Sequence, residues 1–219
     1  MSILILFAAV IAALCVWTLL LQRFRTKPWL VTGTEPETSQ FSAKLAKKMG
    51  FWVFLGVITS LFALFSMAYA MRMKTGDWQP VPEPGILWLN TIFLVASSLS
   101  LQGAVYAAGR RNERWLKMMF SAGGLLALAF VVGQLRAWQI LVSEGYSMDS
   151  NPASAFFFLL TALHGIHLMG GLWVWTLTTV KAFYGRDLGD LRLSIELCAQ
   201  YWHYLLILWL LLFALLKAT

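Results

Sequence analysis

Six apolar stretches, at about residues 3–22, 50–71, 86–108, 116–141, 153–180 and 197–217, take up most of this chain. At about 1.5 Å of rise per residue, about 20 residues cross a hydrocarbon core of about 30 Å. The stretches are apolar nearly all round, whereas the helices of a soluble domain are apolar along one face. Lipid offers the backbone no hydrogen bonds, so a spanning chain must be helical or close into a barrel. These runs are too long and continuous for barrel strands, which alternate in and out over about ten residues. The expectation is an all-α, polytopic transmembrane bundle of six helices with no soluble domain. Residues 1–22 form an extra N-terminal helix, 23–49 a cytoplasmic loop, and 50–219 a five-helix bundle.

A net charge of +7 invites a nucleic-acid reading, but its distribution argues against one. Thirteen of the 17 basic residues lie in alternate connections: Arg23, Arg25, Lys27, Lys44, Lys47 and Lys48; then Arg110, Arg111, Arg114 and Lys117; then Lys181, Arg186 and Arg192. Only Arg72, Lys74, Arg136 and Lys217 fall on the other side. Positive loops stay cytoplasmic, which places both termini outside and makes anionic lipid headgroups the counter-charge. Residues 1–22 lack a basic start and carry their charges after the apolar run, so they read as a retained helix rather than a signal peptide. Cys15 and Cys198 both sit in apolar runs and read as small buried hydrophobes.

The connections carry their own signals. Lys27-Pro28 and Pro36 predict an extended start to the first one. From Thr38 the spacing of Phe41, Leu45 and Met49 against Lys44, Lys47 and Lys48 predicts a short interfacial helix, capped by Thr38 or Ser39. Pro80, Pro82, Pro84 and Gly85 make a rigid turn, and Pro152 after Asn151 suits a helix start. Ala96, Ser100, Ala104 and Ala108 form a small-residue stripe for packing, within the bundle or against another subunit, and Ala129, Gly133 and Ala137 follow the same rule.

Polar residues inside a membrane are the default functional clue. His164 and His167, three apart, share a helix face, as do Glu196, Gln200 and His203. Gln134 and Arg136 lie toward one end of 116–141, and Asn90, Ser97, Ser98, Ser100 and Gln102 make 86–108 moderately polar. Three readings follow: a metal or b-type haem site pairing His203 with His164 or His167, a proton relay through Glu196 and His203, and hydrogen bonding between helices or to lipid headgroups. The residues favour the third, because no cysteine or carboxylate cluster accompanies the histidines. No nucleophile set, phosphate loop or CxxC pair is present, and the marks of an independent transporter, discontinuous helices and a charged midplane site, are not evident.

Four motifs then converge. Phe156-Phe157-Phe158-Leu159-Leu160-Thr161-Ala162-Leu163-His164-Gly165-Ile166-His167 resembles the F-F-x-x-T-G-x-H-G-x-H-V signature of haem–copper oxidase subunit III. Glu196, Gln200-Tyr201-Trp202-His203-Tyr204 and Trp209 resemble its E-x-x-x-x-Y-W-H-F-x-D-x-x-W. Leu89-Asn90-Thr91 with Ser97-Ser98 resembles N-T-x-x-L-x-x-S-S, and Gly133-Gln134 with Trp138 resembles G-Q-x-x-x-W. The four stand in the family's order over about 50–217.

The resemblance implies a non-catalytic subunit of a bacterial terminal oxidase in the cytoplasmic membrane. It would hold no haem, copper or catalytic residue of its own and would pack on the catalytic subunit I, alongside subunit II and further respiratory subunits. Structural phospholipid would sit in a V-shaped cleft, and the subunit would support proton uptake and protect the complex during turnover. His164, His167, Glu196, Trp202 and His203 are then expected to be lipid-binding or structural, and Ala96, Ser100, Ala104 and Ala108 to pack against a subunit. Cytochrome c and quinol are both open as donor, the choice being made by subunit II. An accessory subunit of a nitric oxide reductase, or a b-type haem electron-transfer protein using the three histidines, are the alternatives. Departures are specific: Ile58 stands where the family often has glutamate, Leu206 replaces the aspartate of the last motif, and Ala162 the glycine of T-G.

Overall fold

The computed structural model of the chain describes residues 36–82, 84–110, 112–184 and 188–217. They form five helices: α1 (Pro36–Arg72), α2 (Ile86–Gly109), α3 (Glu113–Ser143), α4 (Pro152–Tyr184) and α5 (Leu188–Lys217). Each contains a segment long and apolar enough to cross a membrane, in α1 Leu45–Arg72 and in α5 Leu191–Lys217. The expected sixth helix, 1–22, lies outside the described residues. The compact unit runs from Lys48 to Thr219.

Local turn chemistry marks several helix boundaries. Asn112 accepts from the Trp115 amide at 3.2 Å at the start of α3, and Asn151 accepts from the Ser154 amide at 2.9 Å before Pro152 opens α4. After α3, Gly145 takes φ +92°. This lets the Tyr146 amide donate back to Leu141 at 2.9 Å, the closing bond of a Schellman turn. Ahead of α1 the outcome differs from expectation. Helix begins at Pro36 and runs unbroken to Arg72, so Thr38 and Ser39 lie inside its first turn instead of capping a separate helix. Proline at a first helical position has no amide to leave unpaired, which is why it opens this helix.

α2, α3, α4 and α5 form a ring in which each packs on its sequence neighbour and α2 closes against α5. Glycine allows the closest approaches. A Cβ on Gly133 of α3 would lie 1.9 Å from Asn90 Oδ1 of α2, and a Cβ on Gly124 would lie 2.0 Å from the Trp175 ring of α4. The Trp175 indole uses that notch to donate to the Phe120 carbonyl at 2.9 Å. At the centre Phe130 meets Trp209 edge-on at 4.9 Å between ring centroids.

α1 is attached differently, through side chains and one backbone carbonyl, that of Leu55, which accepts from the Tyr204 hydroxyl at 3.3 Å. The Tyr204 and Thr59 hydroxyls bond at 2.9 Å. Phe62 packs on His167 at 5.5 Å. Tyr69, Trp78 and Phe156 form a cluster joining the end of α1 to the start of α4. The turn after α1 is pinned by Arg72, which pairs with Asp77 at 2.5 Å and also bonds Thr75.

Two outcomes test this account. Gly124→Ala should push the Trp175 ring out of its notch and lower stability by about 1–3 kcal/mol, the usual scale for overpacking. The loss should read as a lower thermal midpoint of the purified protein, and adding Trp175→Leu should recover part of it. In the turn, the Arg72 guanidinium, and then the Thr75 hydroxyl, hold the Asp77 carboxyl down at about 2. A depressed carboxyl contributes fully above its unfolded value of 3.8 and loses that contribution as pH falls through about 2. Arg72→Gln should move the Asp77 titration, followed by carboxyl carbon NMR, back toward 3.8.

Candidate functional site

Two features stand apart from ordinary packing: a network of polar contacts between helices, and a cleft beside α1. The network begins at α2. Asn90 donates to Gln134 of α3 at 3.4 Å, and Ser97 donates to the Gly123 carbonyl at 2.7 Å. On its other side Thr91 accepts from the Trp209 indole at 2.9 Å. Ser98 bonds His203 Nδ1, and His203 Nε2–H donates to Gln102 Oε1 at 2.9 Å. Trp138 donates to Thr161 at 3.1 Å, tying α3 to α4, and Tyr201 donates to the His167 carbonyl at 3.0 Å, tying α5 to α4.

The histidines fall into three separate environments. His164 is fully buried, with Phe130 at 5.8 Å and Trp209 at 5.4 Å, and neither ring nitrogen has a hydrogen-bond partner among the described residues. His167, three residues on, points toward α1. Its Nδ1–H donates to the Leu163 carbonyl at 2.7 Å, which leaves Nε2 as the acceptor. His203 has both nitrogens engaged by α2. Among the described residues, no three His, Cys, Asp or Glu side chains converge as a metal site.

The other expected residues separate as well. Glu196 pairs with Arg192 at 2.9 Å on its own helix. Trp202 is fully buried, its ring edge lying where a Cβ on Gly171 would be. Of the small-residue stripe, Ala104 is buried inside the ring, while Ala96, Ser100 and Ala108 are half-buried. Sequence reading did not foresee the tryptophan-to-carbonyl and tryptophan-to-hydroxyl bonds from Trp175, Trp138 and Trp209. Glycine or threonine at a compatible register marks the receiving helix, but only the fold shows which helix that is.

The cleft, of about 600 Å³, lies between α1, α4 and α5. Phe51 and Phe54 line it from α1, His167, Gly170 and Val174 from α4, and Cys198, Tyr201 and Trp202 from α5. Its wall is overwhelmingly apolar, and Lys181 stands at the end nearest the α4–α5 turn. Phe54 stacks on Tyr201 at 6.1 Å across one edge.

Five helices long and apolar enough to span, joined by buried polar contacts, define a polytopic membrane protein. The family model for cytochrome c oxidase subunit III matches residues 39–217, and the chain belongs to that family. A probable cytochrome c oxidase subunit 3 of Mycobacterium tuberculosis is 30% identical over 68% of this chain and 76% of its own length. Cytochrome c oxidase subunit 3 of Bacillus sp. PS3 is 28% identical over 84% of this chain and 92% of its own. Subunit 3 of the cytochrome bo(3) ubiquinol oxidase of Buchnera aphidicola is 25% identical over 81% and 92%.

The Ser98–His203 contact should be energetically modest. Interhelical side-chain bonds in membranes average about 0.6 kcal/mol and reach about 1.7. A double-mutant cycle of Ser98→Ala and His203→Phe, read by denaturation in detergent, should return a coupling in that range. A coupling near zero would show that the contact does not hold the helices.

Proposed function

We propose that this subunit III serves a bacterial haem–copper terminal oxidase by packing on its catalytic subunit and holding a phospholipid in the cleft between α1, α4 and α5. Haem and copper belong to the partner subunits, and the electron donor is set there too. The subunit lies in the cytoplasmic membrane, with the basic connections inside and the C-terminus outside. By keeping the lipid in place it supports proton uptake and preserves the complex over many turnovers.

The observation that carries the lipid reading is the cleft's chemistry. An apolar wall accepts an acyl chain, and the Lys181 ammonium stands at the height where a headgroup phosphate would lie. His167 Nε2 adds an acceptor, and the phenol of Tyr201 closes the inner wall.

Gly170→Phe is the direct test. A Cβ on Gly170 would meet nothing within 4 Å, and the residue lines the cleft, so a larger side chain there starts from open space. Lipid analysis of the purified oxidase complex should show several-fold less retained phospholipid. The initial oxygen-consumption rate should be unchanged and its decay during sustained turnover faster. Retained lipid at the wild-type level, with normal endurance, would remove the cleft from the function.

A further inference from the structure

A second membrane-facing surface lies on the opposite side of α1 from the cleft. Along α5, Gln200, Ile207, Leu210 and Leu211 are exposed. On a helical wheel, Gln200, Ile207 and Leu211 lie between His203, which reaches α2, and Tyr204, which reaches α1. They form the exposed strip of α5 between its contacts with α1 and with α2, which we call a groove.

Its polar content is out of keeping with lipid. Thr59 lies at the middle of the apolar span Leu45–Arg72, and His203 and Tyr204 at the middle of Leu191–Lys217. Gln102 and Gln200, both exposed, lie within about 7 Å of the middle of their spans at about 1.5 Å per residue. Five hydrogen-bonding side chains from three helices therefore lie near the depth where acyl chains offer no partner and exposed amides are costly. Gln102 uses its carbonyl for His203, and its amide donors are engaged by no described residue. On α1, Gly56, Ser60 and Ala63 flank Thr59 on the exposed side, and a Cβ on Gly56 would meet nothing within 4 Å. Small residues beside polar ones are what a close helix–helix contact uses in membranes.

We infer that this groove seats a transmembrane helix of the oxidase's catalytic subunit, one carrying hydrogen-bonding side chains at mid-span to meet Gln102, Gln200 and His203. This rests on the function proposed above. The chain's own apolar stretch 3–22 is a poorer occupant, because it carries no amide or imidazole side chain within about 7 Å of its middle at about 1.5 Å per residue. Outside the cleft, α4 turns Met169 and Trp173 outward, a surface that suits lipid.

Photo-crosslinking in the intact complex decides this. With Ile207→p-benzoylphenylalanine, illumination in native membranes should join this chain to the haem–copper subunit, whereas Trp173→p-benzoylphenylalanine should capture lipid. The inference falls if Ile207 captures only lipid, maps to residues 3–22 of its own chain, or joins a different protein. The haem spectrum of the same preparation separates the two failures. A haem–copper subunit present but not captured at Ile207 overturns the groove alone. Its absence from the purified complex overturns the proposed function.

Discussion

Apolar burial, which holds soluble helices together, gives these helices almost no reason to associate, because a leucine is as well solvated by acyl chains as by another leucine. What remains is close contact between backbones and hydrogen bonds that lipid cannot replace. The ring of α2 to α5 is built from those two resources used together. At Gly124 the absent side chain admits the Trp175 ring, and the admitted indole then bonds a carbonyl of the helix it has entered. At Gly133 the notch holds the Asn90 amide, which turns to Gln134 on the same helix. In both places the space and the bond depend on each other, so neither can be replaced by a larger apolar residue.

α1 has no such notch against the ring. Aromatic rings and two hydroxyls, spaced along its length, hold it at a distance. The distance creates open volume on both flanks, and the flanks differ in chemistry. One is the apolar cleft with a lysine at its end. The other is the groove whose floor and walls carry glutamines, a histidine and a threonine. A single loosely attached helix thus separates a surface suited to an acyl chain from one that needs a hydrogen-bonding helix.

Much of this was legible in the chain. Apolar runs and terminal caps gave the five described helices, because length and continuity are local properties of sequence. Helical register sets Glu196, Gln200 and His203 within about 60° of one another on α5, and His164 and His167 likewise on α4, but it does not say what each side chain meets. Three residues apart means about 60° apart on the helix, enough to send one ring between α3 and α5 and the other toward α1. Partner choice was not legible at all. Nothing local in Trp209 announces Thr91, because that bond depends on α2 closing the ring against α5.

The departures from the family pattern acquire a physical meaning in this frame. Ile58 is only 2% exposed and lies within the apolar core. A glutamate at that position would need a partner or a proton to be tolerated, and no charged side chain is paired nearby among the described residues. Leu206, half-buried on α5 between the His203 and Trp209 contacts, likewise brings no carboxylate to mid-membrane. Proton-handling roles that rest on carboxylates at these two places are therefore absent from this chain. Under the proposed function, any influence on proton uptake passes through the lipid and the neighbouring subunit that this chain would hold. That places the burden on attachment rather than titration, consistent with a polar network whose described interhelical bonds involve no Asp, Glu, Lys or Arg side chain.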